Sequence, residues 1–399
     1  MFDKVRDTAR LQTWFDALYP VGASPDGSVT RLGYTEVEDE MHTLFLSFAE
    51  AEGLAAFSDE AGNTYAMNSD KEPYILIGSH LDSVVQGGRY DGVAGVLGGL
   101  LVMVLLREQG LDIPLRVAAF RCEESSNFGC ATMGSGLVTG ALNSEKLATY
   151  EGRDGVSYTE VMAARGHSIT PPRIDGLKVY YEIHIEQGKV LEETNTTLGI
   201  VTSIAGPRRF AVNLKGLAEH SGATPMGMRA DALCAAAETI LAIEKIGTNE
   251  PDSVGTVGVI HNTPNALNVI PGEVDIGVDL RSSDDGSLDR MEAAMREAID
   301  RICTQRGVTP TVRATSGTSP VKLSPALMEE LCDAAVALGI SHRKMPSGAG
   351  HDAMEFPPFC DTAMVFIPCE KGISHNGLER ASLADLCDAV YVVYKAIVD

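Results

Sequence analysis

The fold is decided by residues 74–120, which read YILIGSHLDSVVQGGRYDGVAGVLGGLLVMVLLREQGLDIPLRVAAF. Tyr74–Gly78 is a short apolar run that ends in glycine, which is typical of a strand buried on both faces. Gly92–Gln109 has the length and pattern of a helix, and Leu115–Phe120 predicts a second buried strand. Strand, long helix and strand in this order form a βαβ unit. We therefore expect an α/β fold whose central sheet is mostly parallel and flanked by helices.

A different pattern begins near residue 206 and continues to about residue 315. Phe210–Lys215 and Val274–Leu280 alternate apolar and polar residues, as half-exposed antiparallel strands do. Asp231–Ile246 and Met291–Arg306 predict two helices. This segment therefore predicts a compact α+β domain inserted into the α/β domain.

Length and charge limit the possible functions. A chain of 399 residues exceeds the usual size of one hydrophobic core, so we expect two domains, with residues 206–315 inserted between residues 1–205 and 316–399. The net charge of −23 argues against nucleic acids and anionic membranes as partners. The polar N-terminal residues do not resemble a secretory signal, and the eight cysteines form no regular framework. We therefore expect reduced thiols and a cytoplasmic location.

Five side chains with metal-binding chemistry accompany these elements: His80, Asp91, Glu124, His184 and His375. They lie at the ends of predicted strands or, for Asp91, at the start of a helix, and open α/β sheets place their sites at such strand ends. Imidazole and carboxylate ligands without cysteine suit Zn²⁺, Mn²⁺, Co²⁺ or Ni²⁺. The sequence therefore predicts a metal centre that all five residues build together.

Each of these motifs also has an ordinary structural interpretation. Asp91 would cap the helix that follows it, the Glu123–Glu124 pair would be solvated surface, and His80 with Asp82 would close a turn. Isolated histidines would be hydrogen-bonded polar residues. In the functional interpretation, Asp82 orients the His80 ring, and Glu123 acts as a general base beside Glu124. That combination predicts a metal-dependent amidohydrolase.

Seven phrases in the chain resemble one known family when they are taken in order. They are Gly78–Val84 (GSHLDSV), Glu123–Phe128 (EESSNF), His184–Gly188 (HIEQG), His220–Met226 (HSGATPM), Asn268–Gly272 (NVIPG), Ser347–Ala353 (SGAGHDA) and Gly372–Asn376 (GISHN). The chain thereby resembles the N-carbamoyl-amino-acid and allantoate amidohydrolases, which are related to dinuclear aminoacylases and carboxypeptidases. The resemblance implies a catalytic α/β domain and a smaller inserted lid domain through which the chain forms a homodimer.

The resemblance also implies two divalent metal ions per subunit, taken from Zn²⁺, Mn²⁺, Co²⁺ or Ni²⁺. The two metal sites would share one bridging carboxylate: His80, Asp91 and His184 would bind one ion, and Asp91, Glu124 and His375 would bind the other. Glu123 would be the general base, and Asp82 would support His80. These roles follow from the matching motifs and are expectations for this chain.

Substrate contacts are implied in the same way. His220 would polarise the substrate's carbonyl oxygen, while Asn268 and Arg281 would hold its carboxylate, for which a guanidinium is well shaped. Gln187 and the loop that ends at Gly350 would contact the ureido group or the α-substituent. The implied reaction is hydrolysis of an N-carbamoyl-L-amino acid to an L-amino acid, CO₂ and NH₃. Allantoate or ureidoglycolate hydrolysis, aminoacylase or dipeptidase activity, and metal-dependent binding without turnover are the alternatives.

One departure from the family pattern bears on the range of substrates, and the roles of three further residues have more than one interpretation. Ser125–Asn127 stands where the family more often has Gly-x-Arg, so a positive charge near the site is lost. Arg281 would be an ordinary surface arginine if its strand lay outside the site. His351 and Asp352 would brace the glycine loop that precedes them.

Overall fold

The computed structural model describes residues 2–399 and divides the chain into two compact units. The first unit comprises the chain up to Thr202 together with Leu323–Met345 and Ala349–Asp399. The second unit comprises Ser203–Lys322 and Pro346–Gly348. The segment expected at residues 206–315 lies within the second unit. Its function as a lid and dimerisation domain stays a prediction.

All the strands and helices described above from the sequence are present. The strands are β1 (Ala55–Ser58), β2 (Thr64–Met67), β3 (Tyr74–His80), β4 (Leu115–Phe120), β5 (Leu177–Ile185), β6 (Leu198–Ile204), β7 (Gly206–Lys215), β8 (Ser253–Thr263), β9 (Glu273–Ser282), β10 (Thr309–Gly317), β11 (Val321–Lys322), β12 (His342–Ser347) and β13 (Asp361–Ile367). The helices are α1 (Lys4–Leu18), α2 (Glu36–Ala51), α3 (Val93–Glu108), α4 (Met133–Thr139), α5 (Ser144–Leu147), α6 (Tyr158–Ala164), α7 (Val190–Glu193), α8 (Ala232–Asn249), α9 (Asp285–Arg306), α10 (Pro325–Leu338) and α11 (Leu383–Val398). Within residues 2–399, none of these helices combines the length and the apolar character that crossing a membrane requires.

One sheet of nine strands, counted within the described residues, has the order β1-β2-β4-β3-β5-β13-β6-β11, and β12 also pairs with β6. The four central strands β4, β3, β5 and β13 are parallel. Strands β1, β2 and β6 pair antiparallel on either side of them. The central parallel sheet was expected from the βαβ pattern. Because parallel strands end at the same edge, the residues that follow β3, β4 and β5 are brought together.

Helix α3 packs unusually close to this sheet through its glycines. Every residue of Val93–Leu106 is buried. A Cβ atom added at Gly95 would lie 2.2 Å from the carbonyl oxygen of Ile183 in β5, and one at Gly92 would lie 2.5 Å from the ring of His80. No side chain fits in these places. The glycines therefore hold the first turn of α3 against the carboxyl ends of β3 and β5.

The second unit is built on an antiparallel sheet of four strands in the order β10-β7-β9-β8. Strand β9 alternates as predicted, with one face buried and the other partly exposed. Its buried residues Val274, Ile276 and Val278 form a core with residues of α8 and α9. Strand β8 is at the edge of the sheet, and its Val259 and Ile260 side chains are about half exposed.

Candidate metal centre

His80 is the last residue of β3, and both of its ring nitrogens face acidic or carbonyl oxygens. On one side, Nδ1 lies 3.3 Å from Asp82 Oδ1 and 3.2 Å from the Asp82 carbonyl oxygen. On the other side, Nε2 lies 3.7 Å from Asp91 Oδ1 and 3.8 Å from Glu123 Oε2. Because Nδ1–H has acceptors on its own loop, Nε2 is left to point toward the other carboxylates. Asp82 therefore lies within reach of the His80 ring, and its role in orienting that ring stays a prediction.

Asp91 lies between two histidines. The residue that caps α3 is Gly92, so the side chain of Asp91 is not used as a helix cap. Its Oδ1 atom lies 3.0 Å from His184 Nε2, and its Oδ2 atom lies 3.2 Å from His375 Nε2. The two oxygens therefore face different imidazoles, which is the arrangement that a bridging carboxylate needs.

His184 is the penultimate residue of β5 and is buried. Its Nδ1 atom lies 2.9 Å from the carbonyl oxygen of Ile185, which leaves Nε2 as the free lone pair of a neutral ring. Although Nε2 is only 3.0 Å from Asp91 Oδ1, it forms no hydrogen bond of good geometry. A buried nitrogen without a hydrogen bond is costly in a protein interior, and a metal ion would satisfy it.

His375 does not lie at the end of a strand, so that part of the sequence prediction was wrong. Strand β13 ends at Ile367, and a short 3₁₀ turn at Glu370–Gly372 intervenes. His375 has a φ of 54°, which is the left-handed region. This backbone conformation brings its Nε2 atom to 3.1 Å from Glu124 Oε1. A loop, rather than the sheet, positions this histidine.

Glu123 and Glu124 follow β4 after a two-residue turn, and a single carboxylate holds their backbone. Asp82 Oδ1 accepts the N–H of Glu123 at 3.0 Å, and Asp82 Oδ2 accepts the N–H of Glu124 at 3.1 Å. Both side chains are less than one-tenth exposed. They are therefore not the solvated surface pair that the sequence also allowed. Asp82 contacts both the His80 loop and the two glutamates.

Three groups in residues 2–399 place candidate ligand atoms within 4.8 Å of one another. They are His80–Asp91–His184, Asp91–Glu124–His375 and Glu182–His184–His351. The first two share Asp91 and match the two sets that the resemblance implies. Their imidazole nitrogens and carboxylate oxygens are donors that fit a divalent metal ion. Glu123 belongs to none of the three groups.

The third group already has hydrogen bonds of its own. Glu182 accepts from the Ser79 hydroxyl at 3.0 Å, from the Ala353 N–H at 2.8 Å and from the Tyr180 hydroxyl at 3.2 Å. The ring of His351 lies 4.5 Å from that of His184. Because Glu182 already accepts these hydrogen bonds, we interpret the third group as packing against the candidate metal ligands and not as a further metal site.

Gln187, expected to contact substrate, lies directly against the candidate ligands. Its Nε2 atom donates to Asp91 Oδ2 at 2.9 Å and lies 3.2 Å from His375 Nε2. Its Oε1 atom is buried without a hydrogen bond. The amide NH₂ group therefore contacts Asp91 Oδ2 and His375 Nε2, two atoms that would also contact a bound cation. The role of Gln187 toward substrate stays a prediction.

Burial and neighbouring charges shift the pKa values of these groups in different directions. Burial raises the pKa of the Glu123 carboxyl well above its usual range; His80 opposes the rise and Glu124 adds to it. Burial also opposes the ionisation of Asp91, but the adjacent His184 and His375 rings outweigh it and hold the Asp91 pKa well below its usual range. Hydrogen bonds to Asp91 and Glu124 raise the pKa of His375 to about 11. The carboxyl groups of Glu123 and Asp91, although near each other, thus differ in their affinity for a proton.

In the second unit, His220 is held in one tautomer by its own loop. Its Nδ1 atom accepts the N–H groups of Gly222 at 3.0 Å and Ala223 at 3.2 Å. The ring proton must therefore lie on Nε2, which can donate to a carbonyl oxygen. The N–H of Ser221 donates to the carbonyl oxygen of Asn268 at 3.1 Å. Two of the predicted substrate-binding residues thus lie on paired segments.

Arg281 is fixed by three hydrogen bonds on β9. Its Nε and Nη2 atoms both donate to Asp279 Oδ2, at 3.2 and 3.1 Å, and Nη1 donates to the Gly348 carbonyl oxygen at 3.1 Å. The guanidinium also lines a cavity of about 470 Å³ in the second unit, together with residues such as Val254 and Ser347. These contacts orient the guanidinium group. Gly350, predicted to contact substrate, lies in the first unit.

Asn127 replaces the arginine that the family more often carries, and its side chain has local partners. Its Nδ2 atom donates to the carbonyl oxygen of Gly33 at 2.7 Å, and its Oδ1 atom accepts the N–H of Arg153 at 3.3 Å. The amide therefore ties its loop to the segment before α2. An arginine at position 127 would place a positive charge in this loop, where the asparagine of this chain is neutral.

Known proteins resemble the chain over nearly its whole length. The sequence model of peptidase family M20/M25/M40 matches residues 76–399. The chain belongs to peptidase family M20/M25/M40. It is 36% identical over 389 residues to an N-carbamoyl-L-amino acid amidohydrolase of Geobacillus stearothermophilus, covering 94% of each chain. It is 35% identical over 380 residues to the allantoate amidohydrolase of Escherichia coli (strain K12), covering 92% of each.

A solved structure extends this likeness to the fold. The crystal structure of an amidase of the hydantoinase/carbamoylase family from Burkholderia multivorans superposes with a TM-score of 0.92 at 34% identity, covering 98% of this chain and 97% of that one. The family recognised from motifs and the α/β architecture are thereby confirmed. For a member of family M20/M25/M40, the candidate ligand groups indicate that the site binds divalent metal.

Two buried acids of this M20/M25/M40 centre were missed in the sequence. Glu182 stands two residues before His184 on β5, and this spacing places both side chains on one face of the strand. Glu379 follows His375 in a loop and looks like surface, although it is fully buried. The strand spacing could have revealed Glu182. The two backbone N–H groups that Glu379 accepts, those of Tyr90 and Asp91, are nearly 300 residues away in the chain, so local sequence did not mark it as buried.

Proposed function

We propose that this chain is a metal-dependent amidohydrolase that cleaves a linear ureido amide, most simply an N-carbamoyl-L-amino acid to an L-amino acid, CO₂ and NH₃. The observation that carries the proposal is the Asp91 carboxylate, whose two oxygens face separate histidines while the neighbouring Glu123 stays outside both ligand groups. A binding protein would have no use for that spare acid. Relatives named as carbamoyl-amino-acid and allantoate amidohydrolases support the ureido chemistry.

Two divalent ions are part of the proposal, as Zn²⁺, Mn²⁺, Co²⁺ or Ni²⁺. His80, Asp91 and His184 would hold one, and Asp91, Glu124 and His375 would hold the other, as the grouping of their ligand atoms supports. When bound, such ions supply Lewis-acid activation of a carbonyl group and of water. The remaining work falls to residues of the chain.

Glu123 is the group that moves the proton. Its buried carboxylate takes a proton from the attacking water as the new bond to the carbamoyl carbon forms, and it returns that proton to the departing nitrogen as the first carbon–nitrogen bond breaks. The carbamic acid that remains then loses CO₂, which breaks the second carbon–nitrogen bond. A carboxyl whose pKa is raised by burial accepts and donates protons closer to neutral pH than an exposed one does. Asp82 holds the Glu123 backbone during this exchange.

The second unit would recognise the substrate. His220 Nε2–H donates to the carbonyl oxygen on which negative charge develops, and Asn268 with Arg281 binds the carboxylate. Gln187 and the loop ending at Gly350 contact the ureido group or the α-substituent. The half-exposed edge strand β8 supports a homodimer formed through this unit. A cytoplasmic location also stays a prediction.

A screen of ammonia release tests the function directly. The Mn²⁺-loaded protein would be offered N-carbamoyl amino acids, allantoate and ureidoglycolate, with release of free amino acid from N-acetyl amino acids and dipeptides measured alongside. We expect N-carbamoyl-L-amino acids to be the best substrates. Preference for allantoate would favour the second candidate, which the E. coli relative supports. Turnover of N-acetyl amino acids alone would contradict ureido hydrolysis, and ligand binding without any turnover would indicate a binding protein.

Glu123→Gln tests the role of the spare acid. The amide cannot accept the proton, so kcat should fall by about 10²- to 10⁴-fold while bound metal is retained. Glu297→Gln, on the exposed face of α9, is the matched control and should keep full activity. Near-normal turnover by Glu123→Gln with metal bound would show that another group moves the proton.

A further inference from the structure

Glu379 is a fully buried acid that the mechanism above does not use. Its Oε1 atom accepts the N–H groups of Tyr90 at 2.8 Å and Asp91 at 3.1 Å. Its Oε2 atom accepts from the Ser374 hydroxyl at 2.9 Å. A buried carboxylate is costly unless donors surround it, and here backbone and hydroxyl donors do so.

Gly88 leaves room for the Glu379 carboxyl group because it has no side chain. A Cβ atom added at Gly88 would lie 1.9 Å from Cδ of Glu379 and about as close to both carboxyl oxygens. The turn before Tyr90 therefore packs directly on the acid. A side chain at position 88 would displace the carboxyl group and with it the hydrogen bonds that it accepts.

The two segments joined by Glu379 each carry a candidate metal ligand that lies on a loop. Tyr90 and Asp91 belong to the loop before α3, whereas Ser374 directly precedes His375. The Ser374 hydroxyl also lies 3.2 Å from Asp91 Oδ2. Neither ligand lies on a strand, so the regular sheet does not set the distance between them. The Glu379 carboxylate is a direct link from one loop to the other.

We propose that Glu379 is a positioning residue for the metal centre, because it fixes Asp91 and His375 relative to each other before any ion binds. This inference rests on the metal sites assigned under the proposed function. Groups that orient metal ligands from behind typically contribute about 10- to 100-fold to metal affinity. The inference therefore concerns metal affinity and needs no substrate.

The test is a calorimetric titration of the metal-free full-length protein with Mn²⁺. Glu379→Ala should weaken Mn²⁺ binding by about 10- to 100-fold. Glu379→Gln should recover most of the affinity, because its amide oxygen can still accept both N–H groups and its NH₂ can donate to Ser374. Asp7→Ala is the matched control, since Asp7 is equally buried in the first unit and accepts the Tyr391 hydroxyl at 2.7 Å.

The control separates positioning from simple stabilisation. Asp7→Ala should lower the melting temperature but bind Mn²⁺ like the parent protein. Parent-like affinity in Glu379→Ala would overturn the inference, and so would an equal loss of affinity in Asp7→Ala. If Glu379→Ala does not fold, Ser374→Ala carries the test, with a smaller expected loss, and parent-like affinity there would overturn it. A parent protein that binds no Mn²⁺ would instead refute the metal sites themselves, and the inference with them.

Discussion

The candidate chemical groups of the two units differ in how far they are exposed. In the first unit, His80, Asp91 and His184 are between 1% and 4% exposed, whereas the side chain of His375, on a loop, is 47% exposed. In the second unit, His220 and Asn268 are exposed, and the Arg281 side chain is 30% exposed. Buried charges interact strongly and are fixed by their neighbours, whereas exposed groups remain free to meet a ligand. Under the proposed function, three of the metal ligands are therefore held by burial in the first unit, whereas the proposed substrate contacts of the second unit are more exposed.

Removing the metal should have the largest effect, and it should be confined to the first unit. Asp91→Ala deletes the oxygens shared by both ligand groups, so activity should be abolished. Free Mn²⁺ at about 100 times its dissociation constant should add about 2.7 kcal/mol to the free energy of unfolding of the parent protein. This gain should disappear in Asp91→Ala, as denaturant unfolding with and without Mn²⁺ would measure. Asp300→Ala, a control on the exposed face of α9, should retain the full stabilisation by Mn²⁺.

His220→Ala should have the next largest effect, and it should leave metal binding unchanged. Loss of a donor to the developing oxyanion should lower kcat by about 10²- to 10³-fold. Mn²⁺ affinity should equal that of the parent, since the residue belongs to the other unit. His342→Ala, outside the proposed site, is the control. A fall in Mn²⁺ affinity in His220→Ala would break the division of labour between the units.

Arg281→Lys should affect the binding of substrate more than its turnover. A lysine cannot reproduce the planar, two-point contact with a carboxylate. The loss of a charged hydrogen bond, about 1.5–3 kcal/mol, corresponds to a roughly 10- to 100-fold fall in kcat/KM, mainly through KM. A substrate analogue whose carboxylate is amidated should respond little, and Arg296→Lys should respond like the parent. Equal losses for the acid and its amide would exclude carboxylate binding by Arg281.

The smallest effect tests packing behind the metal centre. A Cβ atom at Gly99 in α3 would lie 2.8 Å from Ile77 Cγ2 and 3.1 Å from Val117 Cγ1. Gly99→Ala should therefore destabilise the chain by about 1–3 kcal/mol in denaturant unfolding. Gly227→Ala in the second unit meets no atom within 4 Å and should change stability by less than about 0.5 kcal/mol. Equal stabilities would mean that α3 can move away from the sheet.

The sequence predicted the parts of the site that regular elements carry. β3, α3 and β4 followed from the length and spacing of their apolar runs, and His80 and His184 followed from their places at strand ends. The position of His375 was mistaken because a loop with a positive φ carries it. Helix α1 was not predicted, although its buried residues Leu11, Trp14, Phe15 and Leu18 recur at helical spacing.

Long-range contacts explain the rest of what sequence reasoning missed. Glu379 looks like a surface acid until the N–H groups of Tyr90 and Asp91 are placed beside it. Arg281 could be interpreted in two ways until its Nη1 atom was found to donate to the carbonyl oxygen of Gly348, 67 residues further along the chain. In both cases the burial or orientation of a charge depends on partners that local sequence patterns do not reveal.

Glu123 and Glu124 are consecutive residues, and this neighbourhood has a mechanical consequence. Their Cα atoms are separated by a fixed distance of about 3.8 Å across one rigid peptide unit. Both N–H groups are held by the same Asp82 carboxylate. Any shift of the loop after β4 would therefore carry the backbones of the proposed proton-transferring acid and of the proposed metal ligand together. Covalent geometry and one shared carboxylate keep the backbones of these two residues in register.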